Sequence, residues 1–166
     1  MRKLLLGVAA GILLAGALRA TAADNPVAAA PLAPPVVFPG DWLIKLGAAD
    51  RALELGFPST AADLYRELLA APEAPAGERH RVTLALTTAL LDDGRLDDAQ
   101  AALNRGPGPH DSAWQLRAGL IAVQQQRLDA AKTAAAAVKP EGLGAADRGW
   151  DFLLQAMLAD ADGDLD

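Results

Sequence analysis

Asp92-Asp93-Gly94-Arg95-Leu96-Asp97-Asp98-Ala99 is the stretch whose reading decides the fold. Asp92-Asp93-Gly94 forms a tight turn between two helical patterns, and Leu96 and Ala99 begin the apolar face of the second helix. The turn recurs in weaker form at Gln126-Arg127-Leu128-Asp129-Ala130-Ala131 and once more at Gly163-Asp164-Leu165-Asp166. A repeated supersecondary unit identifies an architecture more readily than a reaction.

Gly56-Phe57-Pro58 gives the same turn upstream, so Gly56, Gly94, Gln126 and Gly163 mark four units spaced 38, 32 and 37 residues apart. Ten residues before each mark stand Leu46, Leu84, Leu116 and Leu153. Seven before stand the small residues Ala49, Thr87, Gly119 and Ala156. Five after stand Ala61, Ala99 and Ala131; nine after stand Tyr65, Leu103 and Ala135. Small residues let two helices cross closely, and leucine fills the space beside the crossing.

The pattern predicts hairpins over about 42–72, 78–105 and 111–139, and an incomplete unit over 145–166 whose first helix lacks a partner. Ser59 or Thr60 is expected to cap the second helix of the first hairpin. Pro72 to Gly77, Gly106-Pro107-Gly108-Pro109 and Lys139-Pro140-Glu141-Gly142 separate the units.

These units resemble tetratricopeptide repeats, in which about 34 residues form a helix–turn–helix with small residues in each helix. Gly56, Ala61 and Tyr65 carry the resemblance in the first unit, and Gly94, Leu96, Ala99 and Leu103 in the second. Trp114, Gly119, Leu128 and Ala131 carry it in the third, and Gly163 opens the fourth turn. The third unit departs from the pattern at Gln126 and Ala135. A generic solenoid or bundle of helical hairpins is the alternative. The resemblance implies an all-α solenoid of antiparallel hairpins over 42–166, three complete plus an unpaired fourth first helix.

It also implies a concave groove lined by first helices and open to a protein or peptide partner. By resemblance Leu46, Asp50, Leu53, Leu84, Thr88, Leu91, Leu116, Leu120, Val123, Leu153 and Met157 face or border that groove. Leucines stand where some members of the family clamp an acidic terminus with lysines and asparagine, so an apolar anchor or helix is the expected occupant.

The chain begins as an exported protein does. Arg2-Lys3 precedes an apolar run from Leu4 to Leu18, and Ala20-Thr21-Ala22 supplies the small-x-small cleavage pattern. Cleavage is expected after Ala22, with Ala23 second. A membrane anchor is the rival, but the run is short against the ~20 residues of a span. Residues 23–41 hold Pro26, Pro31, Pro34, Pro35 and Pro39, an extended linker. The destination is the periplasm or the extracellular space, with no stable membrane insertion after cleavage.

Net charge is −6, and Arg2, Lys3 and Arg19 all lie in the leader, so the remainder is more acidic still. Such a surface repels phosphate backbones, which excludes nucleic acid as a partner. Hydrophobic residues make up 52% of the chain but aromatics only 4%, an alanine-rich composition that favours helix. There is no cysteine, hence no disulfide framework and no thiol nucleophile.

His80 and His110 lack a metal-ligand partner at helical spacing and are expected to be solvated. Asp160-Ala161-Asp162-Gly163-Asp164-Leu165-Asp166 has the alternate aspartates of a calcium loop, but Leu165 stands where such a loop needs glycine. No nucleotide, dinucleotide or hydrolase motif is present, so no cofactor, metal or catalysis is implied. The expected role is an exported scaffold of the bacterial envelope that binds protein. The alternative is the front region of a longer envelope enzyme or transport component whose active domain lies beyond residue 166; a third reading is a passive spacer.

Overall fold

The first described helix begins at Pro39, where the missing N–H of proline has no intrahelical acceptor to lose. The computed structural model describes residues 39–163. The signal expected over residues 1–22, most of the expected linker, and residues 164–166 lie outside the described residues.

Seven α-helices follow: α1 Pro39–Glu54, α2 Pro58–Ala70, α3 Ala76–Asp92, α4 Leu96–Arg105, α5 Ser112–Gln124, α6 Leu128–Ala137 and α7 Ala145–Asp162. A single 3-10 turn, Pro140–Gly142, precedes α7. α1 packs on α2, α3 on α4 and α5 on α6, each pair joined by a three-residue turn that makes it antiparallel. The hairpins stack in order through α2 on α3, α4 on α5 and α6 on α7; α3, α5 and α7 also touch in sequence. The fold is all-α, a helical-repeat arrangement. The linker expected to reach residue 41 gives way to helix two residues earlier.

The three hairpin turns are built alike. Gly56, Gly94 and Gln126 have φ of 79°, 72° and 59°. Their N–H groups bond the carbonyls of Leu53, Leu91 and Val123, and the next residues Phe57, Arg95 and Arg127 bond those of Ala52, Leu90 and Ala122. This left-handed cap satisfies carbonyls that the end of a helix leaves free. Gly163 ends α7 with φ 76° and a bond to Asp160 O. The glycine missing from the third unit is therefore missing in chemistry only; Gln126 adopts its backbone.

The second helices begin without a side-chain cap. Phe57 is the N-cap of α2, Pro58 its first residue, and Ser59 and Thr60 lie inside the first turn instead of capping it. The tight turn leaves no separate capping position, because Phe57, Arg95 and Arg127 already bond backward through their N–H groups. Asp111 does cap: its carboxylate accepts the Trp114 N–H at 2.9 Å and starts α5.

The leucine and small-residue columns form the core in three units. Leu46, Leu84 and Leu116 are buried, as are Ala49, Thr87 and Gly119. Ala61, Ala99 and Ala131 are fully buried, with Tyr65, Leu103 and Ala135 beside them. The fourth unit differs: Leu153 is 44% exposed and Ala156 is exposed, whereas their neighbours Leu154 and Leu158 are buried. Leu154 fills the notch at Gly119, where a Cβ would stand 2.7 Å from its Cδ2. The side of α7 that meets the preceding hairpin is packed, and the side bearing the leucine column is open.

Candidate binding surfaces

Each complete hairpin carries a polar tie at its open end. The Trp42 indole N–H donates to Leu68 O at 3.2 Å, joining the start of α1 to the end of α2. His80 Nδ1 lies 3.1 Å from Pro107 O, joining α3 to the segment after α4. The Lys139 N–H donates to Ser112 Oγ at 3.0 Å, joining α5 to the segment after α6. Trp42, His80 and Ser112 each stand fourteen residues before their turn mark, on the face that holds the buried leucine four residues later and the small residue seven later. That stripe of α1, α3 and α5 is buried or half-buried against neighbouring helices, which at Gly119 are α7 and α6.

In α7 the same three positions are Gly149, Leu153 and Ala156, and all three are exposed. Phe152 beside them is 76% exposed. Among the described residues nothing covers this strip. Two open clefts border α7, one of about 450 Å³ lined by Val123, Gln126, Leu128, Met157 and Asp160, the other of about 440 Å³ lined by Lys132, Ala135, Gln155, Leu158 and Asp162. At the opposite end Leu43 and Ile44 of α1 are also exposed.

The expected groove residues divide between core and surface. Leu46, Leu84, Leu91, Leu116, Leu120 and Val123 are buried and belong to the apolar core. Asp50, Leu53, Thr88 and Met157 are half-buried, and Leu153 is exposed. Thr88, Leu91, Leu116 and Leu120 meet Arg117, Asp147 and Trp150 around a crevice with no room for water. Leu91 of α3 and Leu116 and Leu120 of α5 fill the seam between hairpins; pattern alone does not separate seam from groove.

Two polar networks brace the first helices. Arg117 is buried and donates from Nε to Leu84 O and Thr88 Oγ1, both at 3.0 Å, from one terminal nitrogen to Ala113 O, and from the other to Asp147 Oδ1 at 3.0 Å. One guanidinium thus ties α3, α5 and α7. The Tyr65 hydroxyl donates to Asp50 Oδ1 at 2.7 Å, and Arg81 donates to Asp50 Oδ2 at 2.6 Å, tying α2, α1 and α3. Burial, then the Asp50 hydrogen bond and its charge, push the Tyr65 hydroxyl well above its ordinary value. Asp50, expected to face a partner, is satisfied within the protein.

The histidines are less free than their sequence context suggests. His80 bridges Pro107 O and, through Nε2 at 2.9 Å, Asp111 Oδ2; His110 stacks on Trp114 with ring centroids 3.9 Å apart. Burial works to raise the Asp111 carboxyl, but the Trp114 N–H, the His80 ring and the Ala113 N–H outweigh it and hold it below the usual carboxylate range. The signal for His80 lay in Gly108, whose missing side chain leaves room for the ring: a Cβ there would stand 2.4 Å from Nδ1. Among the described residues no three acidic or histidine side chains gather as a metal site, and no helix is long and apolar enough to cross a membrane.

Comparison with protein-family models, with curated proteins and with solved structures finds no match to this chain.

Proposed function

We propose that this chain is an exported scaffold of the tetratricopeptide type, acting in the bacterial envelope by holding an amphipathic helix of a partner protein against α7. The observation that carries the reading is the open strip of Gly149, Leu153 and Ala156. In the three preceding hairpins the equivalent residues are buried or half-buried against neighbouring helices, so the surface has the shape of a helix seat. The occupant's chemistry follows from α2, α4 and α6: a small residue at the crossing, as at Ala61, Ala99 and Ala131, and a larger apolar residue four positions later, as at Tyr65 and Leu103. Export rests on the leader of Arg2-Lys3, the apolar run and Ala20-Thr21-Ala22.

A pull-down from envelope extract with the full chain and with the Phe152→Asp plus Leu153→Asp variant tests this reading. A partner recovered by the wild type and lost by the variant, with helicity unchanged by circular dichroism, supports it. Equal recovery by both counts against the α7 seat.

A further inference from the structure

The stack holds a cleft of about 340 Å³ between α2 and α4, with α3 as its floor. Its apolar walls are Leu69, Leu86, Leu90 and Ala102, and three arginines enter it: Arg66, Arg79 and Arg105. We propose that this cleft binds a small amphiphile, an oxyanion (carboxylate or phosphate) carried on a short apolar body.

The charge placement is unlike the rest of the molecule. The chain is acidic overall, yet here three guanidiniums face one carboxylate, Asp98, which is itself paired with Arg95 outside the cleft. Arg66 is held by Asp63 at 2.8 Å and lies 3.7 Å from Asp98. Among the described residues the other two have only carbonyl partners. Arg79 donates to Leu69 O and Ala71 O at the end of α2, and Arg105 donates from Nε to Ala101 O, which leaves its two terminal nitrogens for a ligand. Cations without a carboxylate partner, set against apolar walls, favour an anion more than they would in open water. A guanidinium offers paired N–H donors that match a carboxylate or a phosphate.

The repeat does not demand these residues. The position of Arg66 in its unit is Asn104 and Ala136 in the next two, and that of Arg105 is Glu67 and Ala137. The cleft beside α7 has Ala136 at the position of Arg66 and is lined by Lys132 and Asp162. Hairpin packing alone therefore does not account for them. The floor is also tightly set: Gly106 passes so close to Thr83 that a Cβ would lie 2.2 Å from its Cγ2, which fixes the end of α4 over α3. The volume lies at the small end of ordinary ligand sites, suited to a body of a few carbons and one headgroup.

The test is amide-detected NMR titration of the full chain with hexanoate, hexyl phosphate, hexanol and inorganic phosphate. Saturable shifts at Thr83, Leu86, Ala102 and Gly106 with hexanoate or hexyl phosphate, absent with hexanol and inorganic phosphate over the same range, support the site; the tighter of the two names the headgroup. Arg105→Glu should weaken that binding about tenfold or more, while Arg148→Glu, the same charge change on an exposed stretch of α7, should leave it unchanged. No saturable shift at these amides, equal binding of hexanol or of inorganic phosphate, or equal loss in the two variants would overturn the proposal.

Discussion

Gln126 holds the same left-handed backbone as Gly94, with φ of 59° against 72°, and makes the equivalent hydrogen bond back to its own helix. The turn is thus fixed by the hairpin and not by the residue. A side chain there costs about 1 kcal/mol, because its Cβ crowds the backbone in this region. Gln126→Gly should raise stability by about 0.5–1 kcal/mol in urea unfolding, the larger entropy of unfolded glycine offsetting part of the gain. Gly94→Ala should lower it by about 1–2 kcal/mol, and since no atom lies within 4 Å of the added Cβ the loss would be backbone strain alone.

Arg117 is the residue whose removal should damage the stack most. Arg117→Ala removes the guanidinium that donates to Leu84 O, Thr88 Oγ1, Ala113 O and Asp147, leaves the Asp147 carboxylate without that cation and opens the seam of α3, α5 and α7. Breaking one side of a buried pair costs about 3–5 kcal/mol. Asp147 is partly exposed, which places the expected loss near the lower end, about 3 kcal/mol. Chemical denaturation of the variant measures it directly.

Stability should fall at both ends of the pH range for separate reasons. Tyr65 has a raised folded value, so its contribution is whole below the unfolded tyrosine value of about 10 and is lost as pH rises above that toward the folded one. Tyr65→Phe should flatten the loss above pH ~10 at the cost of about 1 kcal/mol at neutral pH. Asp111 has a lowered folded value, so its contribution is whole above the unfolded carboxylate value of about 4 and is lost as pH falls through the folded one. Asp111→Asn should remove that part of the acid dependence. Melting temperatures from pH 2 to 12 check both.

The leucine column gives a paired prediction. Leu116→Asp buries a carboxylate at a fully buried site and should abolish folding, whereas Leu153→Asp should change stability by no more than about 0.5 kcal/mol. Circular dichroism with thermal melting separates the two.

Turns and helices were legible because glycine, proline and alanine act locally. The turn marks and the breaks at Pro72 and Pro109 depend on backbone chemistry that each residue carries with it. The interior columns at Ala61, Ala99 and Ala131 were also legible, since a small residue at a close crossing is a steric necessity. The ties at the open end of each hairpin were not, because Trp42, His80 and Ser112 do the same job with an indole, an imidazole and a hydroxyl. Nor was the division of leucines between seam and groove, which depends on which neighbouring helix covers each face. Arg117 was hidden for a related reason: its four acceptors lie on four residues, from Leu84 to Asp147, that no local pattern connects. The open face of α7 became visible only once three buried faces could be set beside it.

A photo-reactive phenylalanine analogue placed at Leu153, with a second at Glu54 as an exposed control, tests the helix seat most directly. The account predicts that irradiation of cells yields one adduct from position 153, and that mass spectrometry maps it to an amphipathic helix with a small residue four positions before a larger apolar one. No adduct at 153, or the same adducts from both positions, would contradict it.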